Sequence, residues 1–176
     1  MVLLLMNDKH LVFQRRLNGK TDFYRGWNEY ENGFGDLNAE YWLGNDKIHR
    51  LTSGGKSLLR IDLRDFKGNT AYAKYKYFSI GDSSSKYKLT VSHHSGNAGD
   101  SLSQHNGMMF TTKDNDNDRA SVNCATLYGS WWHDNCYHSN LNGLFKGAGP
   151  YGISWYYWGK YGNIKTSTMM IRKRTL

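Results

Sequence analysis

The runs "LLRIDLRDF" and "TAYAKYKYFSI" constrain this chain more than any other part of it. In the first, Leu59, Ile61 and Leu63 fall on one side and Arg60, Asp62 and Arg64 on the other. That period of two suits a strand and not a helix. Charge at every second position requires one wet face, and a sheet wet on one side is characteristically antiparallel. "YKLTV" continues in the same style, with Tyr87, Leu89 and Val91 alternating with lysine and threonine. Elsewhere the spacing is helical. "DFYRGWNEYENGFG" sets Trp27, Tyr30 and Phe34 on one face until Gly33 and Gly35 stop the turn. "LGNDKIHRLTSGG" predicts a second short helix, with Asn45 as N-cap, Ile48 and Leu51 on one face and Gly54-Gly55 at its end.

From about residue 92 periodicity dissolves. "SHHSGNAGDSLSQHNG" and "TTKDNDNDRASVNCATLYGSWWHDNCYHSNLNG" carry little regular pattern. Long irregular stretches inside a compact domain are uncommon and usually functional, and something other than a ladder must hold them. The 176 residues suit one domain with a real core, and no repeat or linker divides them. The apolar content leans on aromatics, 13 Tyr, 6 Trp and 7 Phe; with 19 Gly and only Pro150, turns rely on positive φ.

The net charge of +8 raises the question of nucleic acid. The basic residues are scattered singles and pairs, with one cluster at Arg172-Lys173-Arg174 and no accompanying motif, so nucleic-acid binding is not expected. Affinity for anionic glycans or cell surfaces needs no motif and fits better. "MVLLLMNDKH" has one short apolar patch and no basic n-region, which predicts neither a signal peptide nor membrane insertion.

Asp114, Asp116 and Asp118 stand at alternate positions. They are not an EF-hand, because Arg119 occupies the glycine position and Ala125 the place of the bidentate glutamate. Two readings stay open: a calcium loop completed by backbone carbonyls, or a solvated acidic turn. The only cysteines, Cys124 and Cys136, enclose eleven residues and suit a disulfide, part of a metal site or free thiols. The spacing C-x8-H-x2-C-x-H through His133 and His138 matches no usual zinc pattern. A Cys136–His133–Asp134 triad would have to converge within a few consecutive residues, and no other catalytic motif is present, so no enzyme is expected.

Five segments in order, "FQRRLNGKTDFYRGWNEYENGFG", "EYWLGNDKIHRLT", "GNAGDSLSQHNGMMFTTKDNDND", "NCATLYGSWWHDNC" and "SNLNG", resemble the fibrinogen C-terminal (fibrinogen-like) domain. Among its members the chain looks most like the ficolin and tachylectin type. The resemblance covers residues 12–174, with an atypical segment at 1–11 and a calcium- and ligand-binding subdomain from about 92 to 174. It implies an α+β fold, a twisted antiparallel sheet with short helices plus an irregular calcium-binding part. It implies secretion, a Cys124–Cys136 disulfide, a cis peptide at Asn135–Cys136, and Ca²⁺ held by Asp116 and Asp118 with the carbonyls of Ala120 and Val122. Asp114 is left to bond backbone or solvent.

In acetyl-binding members the turn at the second cysteine aims backbone N–H groups at an acetyl carbonyl, here those of Cys136 and Tyr137, above an aromatic funnel. Tyr128 and Tyr161 match its walls. Tyr137 stands where those members carry histidine, with His138 one place later, and Gly149-Pro150 aligns with their Tyr-Ala pair, leaving Tyr151 displaced. "MVLLLMNDKH" replaces the family's cysteine-containing segment and "GGGW" strand, with His10 in place of the tryptophan. The implied function is a calcium-dependent, lectin-like module for acetylated glycans, oligomerised through upstream segments. The alternative is a module of tenascin or angiopoietin type that docks extracellular or matrix proteins.

Overall fold

The computed structural model describes residues 6–7, 10–55 and 57–174. Its strands are β1 (Met6–Asn7), β2 (His10–Arg16), β3 (Phe34–Gly35), β4 (Tyr41–Trp42), β5 (Ser57–Asp65), β6 (Thr70–Ile80), β7 (Leu89–Gly96), β8 (Ser139–Asn140), β9 (Ser154–Trp155) and β10 (Ile164–Lys173). The helices are α1 (Trp27–Asn32), α2 (Asn45–Thr52), α3 (Cys124–Tyr128) and α4 (Tyr156–Gly159). One antiparallel sheet runs β3-β4-β2-β10-β5-β6-β7, with β1 also on β2. The alternation in β5 is realised: Leu59, Ile61 and Leu63 are at most 2% exposed. They pair with Tyr75, Ala73 and Ala71, while Arg60 and Asp62 pair with Lys74 and Tyr72 on the wet face.

The central strand β10 has no counterpart among the sequence expectations. Met169, Met170 and Ile171 are consecutive and all buried. Met169 belongs to the main core, whereas Met170 packs with Val12 and Tyr41 in a second cluster. A strand covered on both faces loses the alternation that reveals it.

Three boundaries move. Gly44, not Asn45, caps α2: the chain turns there at φ 112°, and a Cβ would meet the Asn32 carbonyl oxygen at 2.7 Å, so only glycine fits. Asn45 lies within the helix and accepts the Trp42 indole N–H at 3.0 Å. Phe34 falls beyond α1, in β3, although its ring still meets Tyr30 edge-on at 5.0 Å. Tyr87 precedes β7 at φ 52°; its ring is buried and its hydroxyl bonds Glu31.

The core is aromatic. Trp42 contacts Phe13, Tyr30, Phe110 and Trp132. Such rings offer large buried area with few rotors, and Trp132 spends its indole N–H on the Tyr87 carbonyl. The irregular half is tied to this body by side chains. Gln14 of β2 donates to the Leu141 carbonyl at 3.0 Å and accepts from Ser167. Arg16 donates to the carbonyls of Leu141 and Gly143 at 3.0 and 2.7 Å. Two asparagines continue outward, Asn142 to the Ser130 carbonyl and Asn140 to the Tyr128 carbonyl. The sheet thereby fixes a loop, and the loop fixes the end of α3.

Candidate functional site

Three short segments meet beside α3. The aspartate loop is one. Asp118 accepts the N–H of Ala120 and of Cys124, each at 2.9 Å, and Asp116 accepts the N–H of Asp118 at 3.3 Å. Burial, together with the neighbouring Asp116 carboxylate, holds the Asp118 carboxyl above its ordinary value although two N–H donors oppose this. Both influences disfavour the charged form of the Asp118 carboxyl. The carbonyls of Ala120 and Val122 accept no hydrogen bond among the described residues. Two carboxylates and two unpaired carbonyls are hard oxygens of the kind calcium takes. No group of three or more His, Cys, Asp or Glu side chains gathers among the described residues, so any cation here depends on main-chain oxygens.

Asp114 is used differently. Its Oδ1 accepts from the Thr112 hydroxyl at 2.6 Å and from the Trp27 N–H at 2.9 Å. Trp27 opens α1, so this carboxylate satisfies one of the unpaired amides at that helix's start and staples the loop to the first half of the chain.

The cystine loop is the second segment. Cys124 and Cys136 are bridged, and the Asn135–Cys136 peptide is cis. Arg119 pairs with Asp134 at 2.7 Å and donates its N–H to the Asp134 carbonyl. This ties the aspartate loop to the turn before Cys136. Beneath lies a residue that no pattern in the sequence singled out. His105, buried, shares its Nδ1 hydrogen with the Trp132 carbonyl at 2.7 Å, and its Nε2 accepts the N–H groups of His138 and Ser139, each at 3.1 Å. Burial pulls its pKa down to about 4, so the neutral ring organises the backbone after the cystine. Its only sequence context was an aperiodic polar run.

The third segment supplies rings. Tyr137 meets Tyr128 at 5.2 Å, Tyr161 at 5.6 Å and His133 at 5.9 Å, while Tyr128 also meets Tyr151 at 5.7 Å. Tyr128, Tyr137, Tyr151 and Tyr161 are therefore brought together. His138 is not among them; its ring packs on Tyr156 and Tyr157. Tyr137 is only 9% exposed, its hydroxyl bonds the Pro150 carbonyl, and burial pushes its phenol up. The amides of Cys136 and Tyr137 donate to no acceptor among the described residues. Around the cluster Leu127, Leu144, Tyr151, Tyr157 and Tyr161 are 37–56% exposed.

Comparison with known proteins gives a consistent picture. The family model for the C-terminal globular domain of fibrinogen beta and gamma chains matches residues 4–174. Tenascin-R from Gallus gallus is 53% identical over 150 residues, which is 84% of this chain and 11% of that protein. Fibrinogen-like protein A from Apostichopus parvimensis is 49% identical over 171 residues, 94% of this chain and 61% of that one. The chain thus spans about a tenth of tenascin-R and less than two thirds of the sea-cucumber protein. Among solved structures, the fibrinogen-like globe domain of human ANGPTL2 superposes with TM-score 0.89 at 40% identity, covering 94% of this chain and 81% of that domain. Lamprey fibrin D-dimer, complexed with the peptide Gly-His-Arg-Pro-amide, gives 0.87 at 33% identity, over 95% of this chain and 62% of that one. These relatives are of tenascin, angiopoietin-like and fibrin kinds, and they do not support the ficolin or tachylectin subtype.

Proposed function

The chain belongs to the family of fibrinogen C-terminal globular domains, and we propose that it is an extracellular recognition module that docks a matrix or receptor protein without catalysis. The observation that carries this reading is Tyr137. Its ring sits among Tyr128, His133 and Tyr161 with its hydroxyl on Pro150, so the chain's own side chain occupies the space between the two tyrosines that the resemblance makes the walls of an acetyl funnel. What faces outward instead is a patch of tyrosine and leucine. Exposed apolar patches of this kind mark interaction sites, and tyrosine is enriched among the residues that dominate binding energy. The tenascin-R and ANGPTL2 likenesses support a protein partner, and so does the peptide held by lamprey fibrin. The Cys124–Cys136 bridge supports an oxidising compartment.

Ca²⁺ is part of the proposal. Asp116 and Asp118 with the carbonyls of Ala120 and Val122 would hold it, and it would supply the positive charge that two adjacent carboxylates lack. The remaining work falls to the chain: Arg119 and Asp134 couple that loop to the cystine turn, and His105 fixes the backbone beyond it. A second reading, binding of acetyl-bearing glycans, rests on the unpaired amides of Cys136 and Tyr137.

Titrating Ca²⁺ to a hundredfold excess over its dissociation constant is expected to raise the melting temperature by roughly 5–10 °C. Asp118→Asn abolishes that response and Asp114→Ala keeps it; no response in the parent protein removes the ion from the proposal. With Ca²⁺ present the chain should pass unretained through immobilised N-acetylglucosamine. A peptide selected on it from a display library should lose binding to Tyr151→Ala and Tyr161→Ala. Retention released by free N-acetylglucosamine would decide for the acetyl reading.

A further inference from the structure

The wet face of the sheet carries a second feature, independent of the calcium loop and the tyrosine patch. In the register of β5 and β6, Arg60 lies directly opposite Lys74. Like charges facing each other across an antiparallel pair are destabilising, and strands are only about 4.8 Å apart. Nearby cations add to the repulsion. Lys76 lies two residues along β6 from Lys74, on the same side, and Arg172 of β10 stands opposite Leu58 of β5, two residues from Arg60. These residues and His10 line a depression of about 330 Å³ whose walls contain no carboxylate among the described residues. Among the described residues Asp62 is the one acid in the neighbouring row, and it is spent on Arg60 Nε at 2.8 Å. Lys74, Lys76 and Arg172 are exposed, and none makes an ion pair among the described residues.

We propose that this depression on β5, β6 and β10 binds a sulfated polysaccharide chain, with Arg60, Lys74, Lys76 and Arg172 as the anion-contacting residues. Charge complementarity is the argument. Lys74, Lys76 and Arg172 lack an ion pair among the described residues and surround Arg60 at the spacing of a strand lattice. Although Tyr72 offers its ring to Arg60 and Lys74, a ligand with repeated negative groups would meet these cations together. A bilayer fits less well, because Val12 and Met170 beside the patch are buried and the one aliphatic side chain in its lining that is not buried, Leu58, is only partly exposed. The overall charge of +8 favours the approach of any such polyanion.

Binding of a heparin octasaccharide to the parent protein and to two triple variants tests this. Lys74→Ala/Lys76→Ala/Arg172→Ala is expected to weaken binding by about tenfold or more at about 0.1 M salt, and to flatten the dependence of affinity on salt. Lys20→Ala/Lys67→Ala/Lys146→Ala removes the same charge from other exposed sites and should change affinity less than about twofold if the patch rather than net charge is responsible. Chelation of calcium should leave the octasaccharide affinity unchanged, which separates this site from the tyrosine face. Lys74→Gln/Lys76→Gln serves in place of the triple variant should that variant fail to fold. Equal weakening by both triple variants, equal affinity for a desulfated octasaccharide, or equal affinity for phosphatidylserine vesicles through the same residues would each overturn the proposal.

Discussion

At the scale of single residues, buried imidazole is the most consequential chemistry in the site. His105 can serve as acceptor for the His138 and Ser139 amides only while neutral. The titratable groups around it are His133, His138 and Asp134. Its pKa is lowered by burial from 6.5 to about 4, and burial lowers His133 in the same way. The unfolded chain therefore binds more protons than the folded one between those values. Stability from these rings is fully present above about pH 6.5 and is lost as pH falls toward 4. The loss amounts to on the order of 3 kcal/mol for each ring. Melting temperature measured from pH 7.5 to 4.5 should fall steeply below pH 6.5. A flat profile would show that the rings are not held neutral. His105 was not legible as an organiser, since a lone histidine in a polar run carries no periodic signal, and His133 was weighed only as a metal or catalytic candidate; the aspartates and cysteines were legible because their spacing is itself the signal.

At the scale of elements, loops that lack ladders are held by backbone contact at glycine. A Cβ on Gly152 would lie 2.4 Å from the Gly147 carbonyl oxygen and 2.5 Å from the Cα of Gly162. Both obstacles are main chain and cannot swing away. Gly152→Ala is expected to cost about 1–3 kcal/mol and to shift Tyr151 and Tyr161, which flank the contact. Urea unfolding should report the loss, and weaker display-peptide binding should report the shift. An unchanged midpoint would show that the loops separate freely. Legibility also divides by element. β5 and β6 could be read because each has one wet and one dry side. β10 could not, since Met169 and Met170 are buried in two different clusters. Asn45 was misplaced as a cap because propensity favours asparagine there, whereas close approach of the Asn32 carbonyl demanded Gly44. The tyrosine cluster was legible as a set, yet the inward turn of Tyr137 was not, because nothing local distinguishes a ring that fills a hollow from one that borders it.

At the scale of the molecule, stability is expected to be graded. β10 is laddered on both sides, to β2 and to β5, whereas the segment from 111 to 138 is held by isolated bridges, α3, a few turn hydrogen bonds, the disulfide and side-chain bonds. Native-state hydrogen exchange should find the amides of Met169 and Ile171 among the slowest, with protection near the global unfolding energy, and those of residues 113–122 among the fastest without Ca²⁺. Addition of Ca²⁺ should slow the second group selectively. Uniform protection throughout would contradict the division of labour between sheet and loops. The sequence disclosed this division in outline, as a periodic first half and an aperiodic second half, but not that strands from the two ends of the chain form its centre.

That central pairing has a mechanical consequence. Leu11 lies beside Ile171 and Arg16 beside Ser167, so a pull applied at His10 and Lys173 would load one end of a single ladder. Tension at those two residues would peel β2 from β10 one bonded pair after another instead of shearing all of them at once. A domain loaded there gives way progressively from its own doorway.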